Sequence, residues 1–264
     1  DRSSAASDVY KRQFVMLLEV KNVKKVYGRG LNTTTALNNM NLKIDKGEFV
    51  AIMGESGSGK STLLNLIATF DQLTEGFITL DDTSFNQLRN KEIARFRRET
   101  MGFVFQDFNV LNTLSNKDNI LMPLVLANER SSVMHQRLTE LSGQLGISDL
   151  LEKYPYEISG GQKQRVAIAR ALIVKPKLLL ADEPTGALDS KTSKKLMKLF
   201  RQINQGYQTI LMVTHSNIDA SYAERVIFIK DGRLYHELYR GEESQSDYQK
   251  RIADSLAMLN GAGE

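Results

Sequence analysis

The spacing of apolar positions changes several times along the chain, and each change marks an element. Residues 17–27, Leu-Leu-Glu-Val-Lys-Asn-Val-Lys-Lys-Val-Tyr, set apolar positions among polar ones as a strand with one solvated face does. Met40–Ile44 alternates strictly, the pattern of a half-buried strand. Lys46-Gly47 is turn chemistry, and Glu48–Met53 is then an apolar run short enough for a buried strand. A Gly/Ser-rich loop follows, after which Leu63, Leu64, Leu66 and Ile67 predict a helix over Ser61–Thr69. Gly76–Leu80 and Met101–Phe105 predict further short strands.

Residues 115–153 carry helical periodicity and few strand signals, which makes them a separable helical insertion. A strong helix is predicted over Gly161–Val174, with Val166, Ala169, Leu172 and Ile173 on one face and Pro176 blocking its continuation. Buried strands are predicted at Leu178–Asp182, Thr209–Thr214 and Arg225–Lys230, with a helix near Ser190–Asn204. Such alternation of strand and helix implies a parallel sheet covered on both faces. Asp231-Gly232 closes a hairpin from Val226–Ile229 to Arg233–Tyr235, and the polar tail at 241–264 is expected to be helical. The sequence shows no internal repeat, so it holds the motifs of a single site.

With 264 residues the chain can form one large domain, or a domain with a subdomain. Its 41% hydrophobic and 25% charged content is that of an ordinary soluble globular protein. The 35 basic residues exceed the 31 acidic ones only slightly and form no dense run. Nucleic-acid binding is therefore not implied, whereas contact with a membrane-embedded partner is allowed. The absence of cysteine excludes disulfides and thiolate metal sites and fits a reducing compartment. The longest uncharged apolar run, Ile120–Ala127, has eight residues and contains Pro123. A bilayer span needs about 20. The first fifteen residues are polar and carry no secretory signal; they read as a non-native or disordered extension, with folding expected to begin near Met16.

Candidate chemistry begins at Gly54-Glu55-Ser56-Gly57-Ser58-Gly59-Lys60-Ser61-Thr62, a complete phosphate loop between an apolar strand and an apolar helix. Its glycines let successive backbone N–H groups point at one anion, and the following helix presents its positive end to the same place. Lys60 would reach the β and γ phosphates, and the Ser61 hydroxyl could ligate Mg²⁺. A second element, Lys177-Leu178-Leu179-Leu180-Ala181-Asp182-Glu183-Pro184, is a buried strand ending in two carboxylates. Asp182 would hold Mg²⁺ through water, because magnesium keeps much of its hydration shell. Glu183 is placed to be a general base toward an attacking water. Between the two lies Ser159-Gly160-Gly161-Gln162, a helix start with a good N-cap. Two glycines there are unexpected in a simple cap, since each is a poor helix former, but they suit a helix end that an anion approaches closely.

With these motifs in this order, the chain resembles the ATP-binding cassette ATPases from residue 17 to about 236. The resemblance implies an α/β fold: a P-loop NTPase core of the RecA type with an antiparallel β subdomain and an inserted helical subdomain. It implies an ATPase domain over 16–240, with the helical subdomain at about 107–165. It also implies ATP and Mg²⁺ as cofactors, and a head-to-tail dimer in which the Ser159–Gln162 signature of one copy meets the γ phosphate on the other. Tyr27 matches the aromatic that stacks on adenine. Gln106 matches the glutamine that touches Mg²⁺ and the water, Asp189 the loop that crosses the dimer, and His215 the switch histidine that hydrogen-bonds the γ phosphate. Ile158 in place of the usual leucine and Glu55 where proline is frequent are departures that remove no catalytic group.

Within the family the chain is most similar to small bacterial cassettes of the macrolide-export, lipoprotein-release and peptide-antibiotic-resistance type. Phe49–Gly54, Gly102–Gln106, Asp182–Asp189 and Val213–His215 carry that likeness, and Phe105–Leu111 leans toward the peptide-antibiotic branch. The function implied is ATP hydrolysis on the cytoplasmic face of the cell membrane, powering a separate integral permease. Two other classes stand beside it. Soluble cassette ATPases of translation carry two cassettes per chain, and those of DNA repair insert a coiled coil longer than the Ser61–Ser159 gap. A binding module without catalysis would need neither Glu183 nor His215.

Overall fold

A computed structural model describes residues 15–30 and 32–261. The N-terminal extension read from the sequence lies, Val15 apart, outside the described residues.

Among the described residues, the centre is a sheet of β3 (Phe49–Met53), β6 (Met101–Val104), β7 (Leu178–Asp182), β8 (Thr209–Val213), β9 (Arg225–Lys230) and β10 (Arg233–Tyr239). Their order is β10-β9-β3-β8-β7-β6. All pairings are parallel except that of β10 with β9, the predicted hairpin. The continuous apolar runs are explained by this position: successive side chains leave a strand on opposite faces, and both faces are covered. Phe49, Ala51 and Met53 enter one core with Leu179, Ala181, Ile210, Met212, Val226 and Phe228. Val50 and Ile52 enter the other with Leu178, Leu180, Leu211, Val213, Ile227 and Ile229.

The first core is closed by helices: α3 (Asn116–Leu126), α4 (Ser131–Leu145), α5 (Gly160–Leu172), α6 (Ser190–Gln205), the short α7 (Asn217–Ala220) and α8 (Gln245–Gly261). The second is closed by α1 (Lys60–Ile67) and by an antiparallel sheet. That sheet has β1 (Met16–Arg29), β2 (Asn32–Asp45), β4 (Glu75–Leu80) and β5 (Thr83–Ser84) in the order β2-β1-β4-β5.

Two regions differ from the sequence reading. The β1–β2 hairpin continues well past the apolar stretches, pairing Val26 with Thr35 and Arg29 with Asn32. Asn32–Thr35 is exposed and gives no alternating signal; it is a strand because β1 supplies its partner. The second is α2 (Asn90–Thr100), a polar helix in a region where no element is predicted. It docks through Phe96, whose ring meets Phe85 edge-on at 5.6 Å.

Parallel strands end on the same side, and a loop follows each there. The phosphate loop leaves β3, the Gln106 loop leaves β6, Asp182 ends β7, and His215 follows β8. This is where ligands bind in open α/β sheets.

Candidate active site

The phosphate loop's shape depends on its glycines. Gly54 has φ 154°, and a Cβ there would lie 2.2 Å from the Ile229 carbonyl oxygen. Gly59, the residue before α1, has φ 103°, and its Cβ would meet the Ala36 carbonyl oxygen at 2.6 Å. Neither position accepts a side chain. The β9–β10 turn backs the loop, with the Gly232 N–H donating to the Ser58 carbonyl at 3.0 Å. Lys60 is buried, and its ammonium donates to the carbonyls of Gly54 (2.9 Å) and Glu55 (2.6 Å). Burial holds the Lys60 pKa below the ordinary lysine value, while the charges of Glu183 and Asp182 oppose that shift. Ser61 is exposed in the first turn of α1, and Glu55, Ser56 and Gly57 form the exposed rim.

Glu183 and His215 are in direct contact, with Oε1 and Nε2 2.6 Å apart. Both face solvent in part, at 27% and 52% side-chain exposure, so a small molecule can reach the pair. Asp182 is more enclosed: burial first, and then the Glu183 charge, push its carboxyl above the ordinary carboxylate range, opposed by His215 and Lys60. The side chain of Gln106 lies over Gly186, where a Cβ would come within 2.8 Å of Nε2. Gly186 N–H in turn donates to the Glu183 carbonyl at 2.9 Å. Tyr27, near the end of β1, is 41% exposed. Its hydroxyl donates to Asp71 at 2.7 Å and has Thr62 as a second hydrogen-bond partner. The predicted residues of the phosphate loop, the acidic strand, Gln106, Tyr27 and His215 therefore converge.

Ser159, Gly160, Gly161, Gln162 and Asp189 form a second group. Ser159 caps α5 by accepting from Gln162 N–H, while Gln162 Oε1 accepts from Ser159 N–H at 2.9 Å. Gly160 faces Leu188 and Phe108. A Cβ on Gly161 would stand 2.4 Å from the Thr192 methyl. Gly161 thus has a reason within its own chain, close packing against α6, that the sequence reading lacked. Asp189 caps α6, accepting from the N–H groups of Lys191 and Thr192, both at 3.0 Å, and from the Thr192 hydroxyl. Thr192 joins the signature to Asp189.

Sequence reasoning missed three supporting residues. Gln164 is fully buried and donates to the carbonyls of Phe105 and Pro184. Arg170 donates to those of Asn109 and Phe108. Asp219 accepts from the Thr185 hydroxyl at 2.6 Å, which ties the segment after His215 to the turn after Glu183. A signal existed for Gln164: a polar residue on the buried, apolar face of a helix needs a partner.

Residues 37–186 match the family model described as ABC transporter. The chain belongs to the ABC transporter family. This ABC ATPase is 50% identical over 246 residues to the ABC transporter ATP-binding protein YxdL of Bacillus subtilis, covering 93% of this chain and 95% of that one. It is 45% identical to the bacitracin export ATP-binding protein BceA of Halalkalibacterium halodurans, covering 93% and 97%. Among solved structures it resembles the dimeric ATP-binding cassette MJ0796 in a post-hydrolysis state with ADP and Pi. The TM-score is 0.76 at 41% identity, over 84% of this chain and 98% of the other. The fold is that of an ABC cassette, and no described helix of this ATPase is long and apolar enough to cross a membrane.

Proposed function

We propose that this ABC ATPase is the peripheral, cytoplasmic-face subunit of a transporter whose integral permease is a separate chain, and that two copies close head to tail over ATP. The identity to BceA and the Phe105–Leu111 run favour an antimicrobial-peptide export or resistance system over the related macrolide and lipoprotein types. The ATPase domain would span 16–240, with its helical subdomain at about 107–165.

Hydrolysis is carried by one observation, the 2.6 Å contact between Glu183 and His215 at the mouth of the phosphate loop. Lys60 and the backbone N–H groups of residues 54–62 bind the β and γ phosphates, and Tyr27 stacks on the adenine. Glu183 accepts a proton from water as the water oxygen attacks the γ phosphorus. The bond to the bridging oxygen then breaks, and ADP leaves with that electron pair. His215 holds the Glu183 carboxylate in position.

The residues suit Mg²⁺ on the chemistry of their donors: a hydroxyl at Ser61, an amide at Gln106 and the Asp182 carboxylate. Magnesium takes few protein ligands and completes its shell with water and substrate phosphates, which matches so small a donor set. Bound there, the ion would neutralise charge on the phosphates.

Glu183→Gln tests the assignment. The amide is nearly isosteric but takes up no proton, so hydrolysis should fall by roughly 10²- to 10⁴-fold while ATP binding persists. The variant should collect as an ATP-bound dimer in gel filtration. Hydrolysis at the wild-type rate would move the base to another residue.

A further inference from the structure

We propose that Gln164 is a positioning residue for hydrolysis, whose side-chain amide ties the signature helix to the backbone beside both groups that handle the water. Gln164 lies in the second turn of α5, five positions after Ser159, with no exposed surface. Its two N–H groups go to two different elements. One donates to the Phe105 carbonyl at 3.2 Å, immediately before Gln106. The other donates to the Pro184 carbonyl at 2.6 Å, immediately after Glu183. One amide therefore connects α5, the loop after β6 and the loop after β7.

The rest of α5 gives that link leverage. Arg170 donates to the Asn109 carbonyl at 2.7 Å and the Phe108 carbonyl at 3.2 Å, so α5 grips the Gln106 loop on both sides. Just beyond the second grip the helix presses onto β6: a Cβ on Gly102 would lie 2.5 Å from the Ala171 carbonyl oxygen. Gln106 in turn lies over Gly186, whose N–H holds the Glu183 carbonyl. A displacement of Ser159 along α5 is thus passed through Gln164 to both Gln106 and Glu183.

A plain structural role would predict the behaviour of Asn204. That buried amide also donates to two backbone carbonyls, of Gly47 (2.9 Å) and Gln208 (3.0 Å), at the far end of α6. Asn204→Leu is therefore the matched control, expected to lower the melting temperature and leave the turnover number unchanged.

Gln164→Met keeps length and volume but donates to neither carbonyl. The inference rests on the roles proposed above for Gln106 and Glu183, and Glu183→Gln is assayed in parallel. The expected result for Gln164→Met is a turnover number lowered by about 10- to 100-fold, the scale of a small misplacement of catalytic groups, with ATP affinity by calorimetry unchanged. Its melting temperature should fall no further than that of Asn204→Leu. Unchanged turnover in folded Gln164→Met, with Glu183→Gln inactive, would overturn this inference alone. Wild-type turnover in Glu183→Gln would overturn the reading beneath it. Loss of ATP affinity in step with turnover would make Gln164 a support of the phosphate site and also overturn it. If Gln164→Met is not recovered folded, Gln164→Glu, equal in shape and without the amide N–H groups, is read in the same way. Failure of both to fold while Asn204→Leu folds would assign Gln164 to stability and defeat the inference.

Discussion

Glu183 holds a backbone φ of 46°, a region that costs a residue with a side chain on the order of 1–3 kcal/mol. Its surroundings enforce that conformation. Glu183 N–H donates to the Val213 carbonyl at 2.9 Å, and its own carbonyl accepts from Gly186 at 2.9 Å. The carboxylate is thereby turned toward His215, away from the direction the strand would give it. Its neighbour Asp182 carries a different strain. Burial and the adjacent Glu183 raise its pKa, so the folded chain takes up this proton more readily than the unfolded one. Ionised Asp182 consequently destabilises the fold at neutral pH, and the penalty vanishes as pH falls from the raised value toward the usual 3.8. Nucleotide-free Asp182→Asn should therefore melt above the wild type at neutral pH, with the gap closing in acid. A gap that widens in acid would reverse the sign of this effect. The same variant should lose hydrolysis, the trade expected where function holds unfavourable charge together.

At the scale of elements, what was legible depended on where the information lies along the chain. The phosphate loop is one covalent run, and β7 with its terminal carboxylates is another, so both can be read before folding. Buried strands such as β3 and β8 announce themselves through unbroken apolar runs that only a sheet covered on both faces accommodates. Asn32–Thr35 carries no such signal because its strand character comes from β1 across the hairpin. Gln164 signalled through its place on an apolar helix face that it needs a partner, but its partners and that of Asp219 were illegible: they are backbone carbonyls and a hydroxyl between 20 and 59 positions away. The helical insertion presents partly exposed apolar residues beside the site. Leu111 is 46% exposed, and Tyr156, stacked on Tyr154 with centroids 5.5 Å apart, is 66% exposed. Residues 106–124 and 154–157 should form the face that meets the permease. The 264 residues contain no cysteine, so thiols introduced at Asn112 and Tyr156 are unique probes among them. Cross-links from both to a co-purified permease are expected, and silence at both would count against this face.

For the whole molecule, the two clusters of site residues call for a second copy. The signature and Asp189 are joined through Thr192, while the phosphate loop gathers Asp182, Glu183 and His215, so a complete site is expected where two chains meet. Mixing Lys60→Ala with Ser159→Arg makes the distinction. Each variant alone should be inactive, but in a mixed dimer both lesions fall on one composite site and leave the other whole. Some phosphate release should return in the mixture, and none in demonstrated mixed dimers would mean that the sites fire only as a pair or are not shared. The central sheet has a further consequence for how copies meet. Its margins are β6 and β10, and an open margin invites backbone pairing between molecules, the route to aggregates. At one margin β6 is only four residues long and lies under α5, pressed close at Gly102. At the other, the β10–β9 register shifts between Leu234 and His236, and Arg233 and Glu237 place charge along the strand. Both ends are blunted against strand-to-strand growth, so crowding at a membrane should favour association through nucleotide over fibrous stacking.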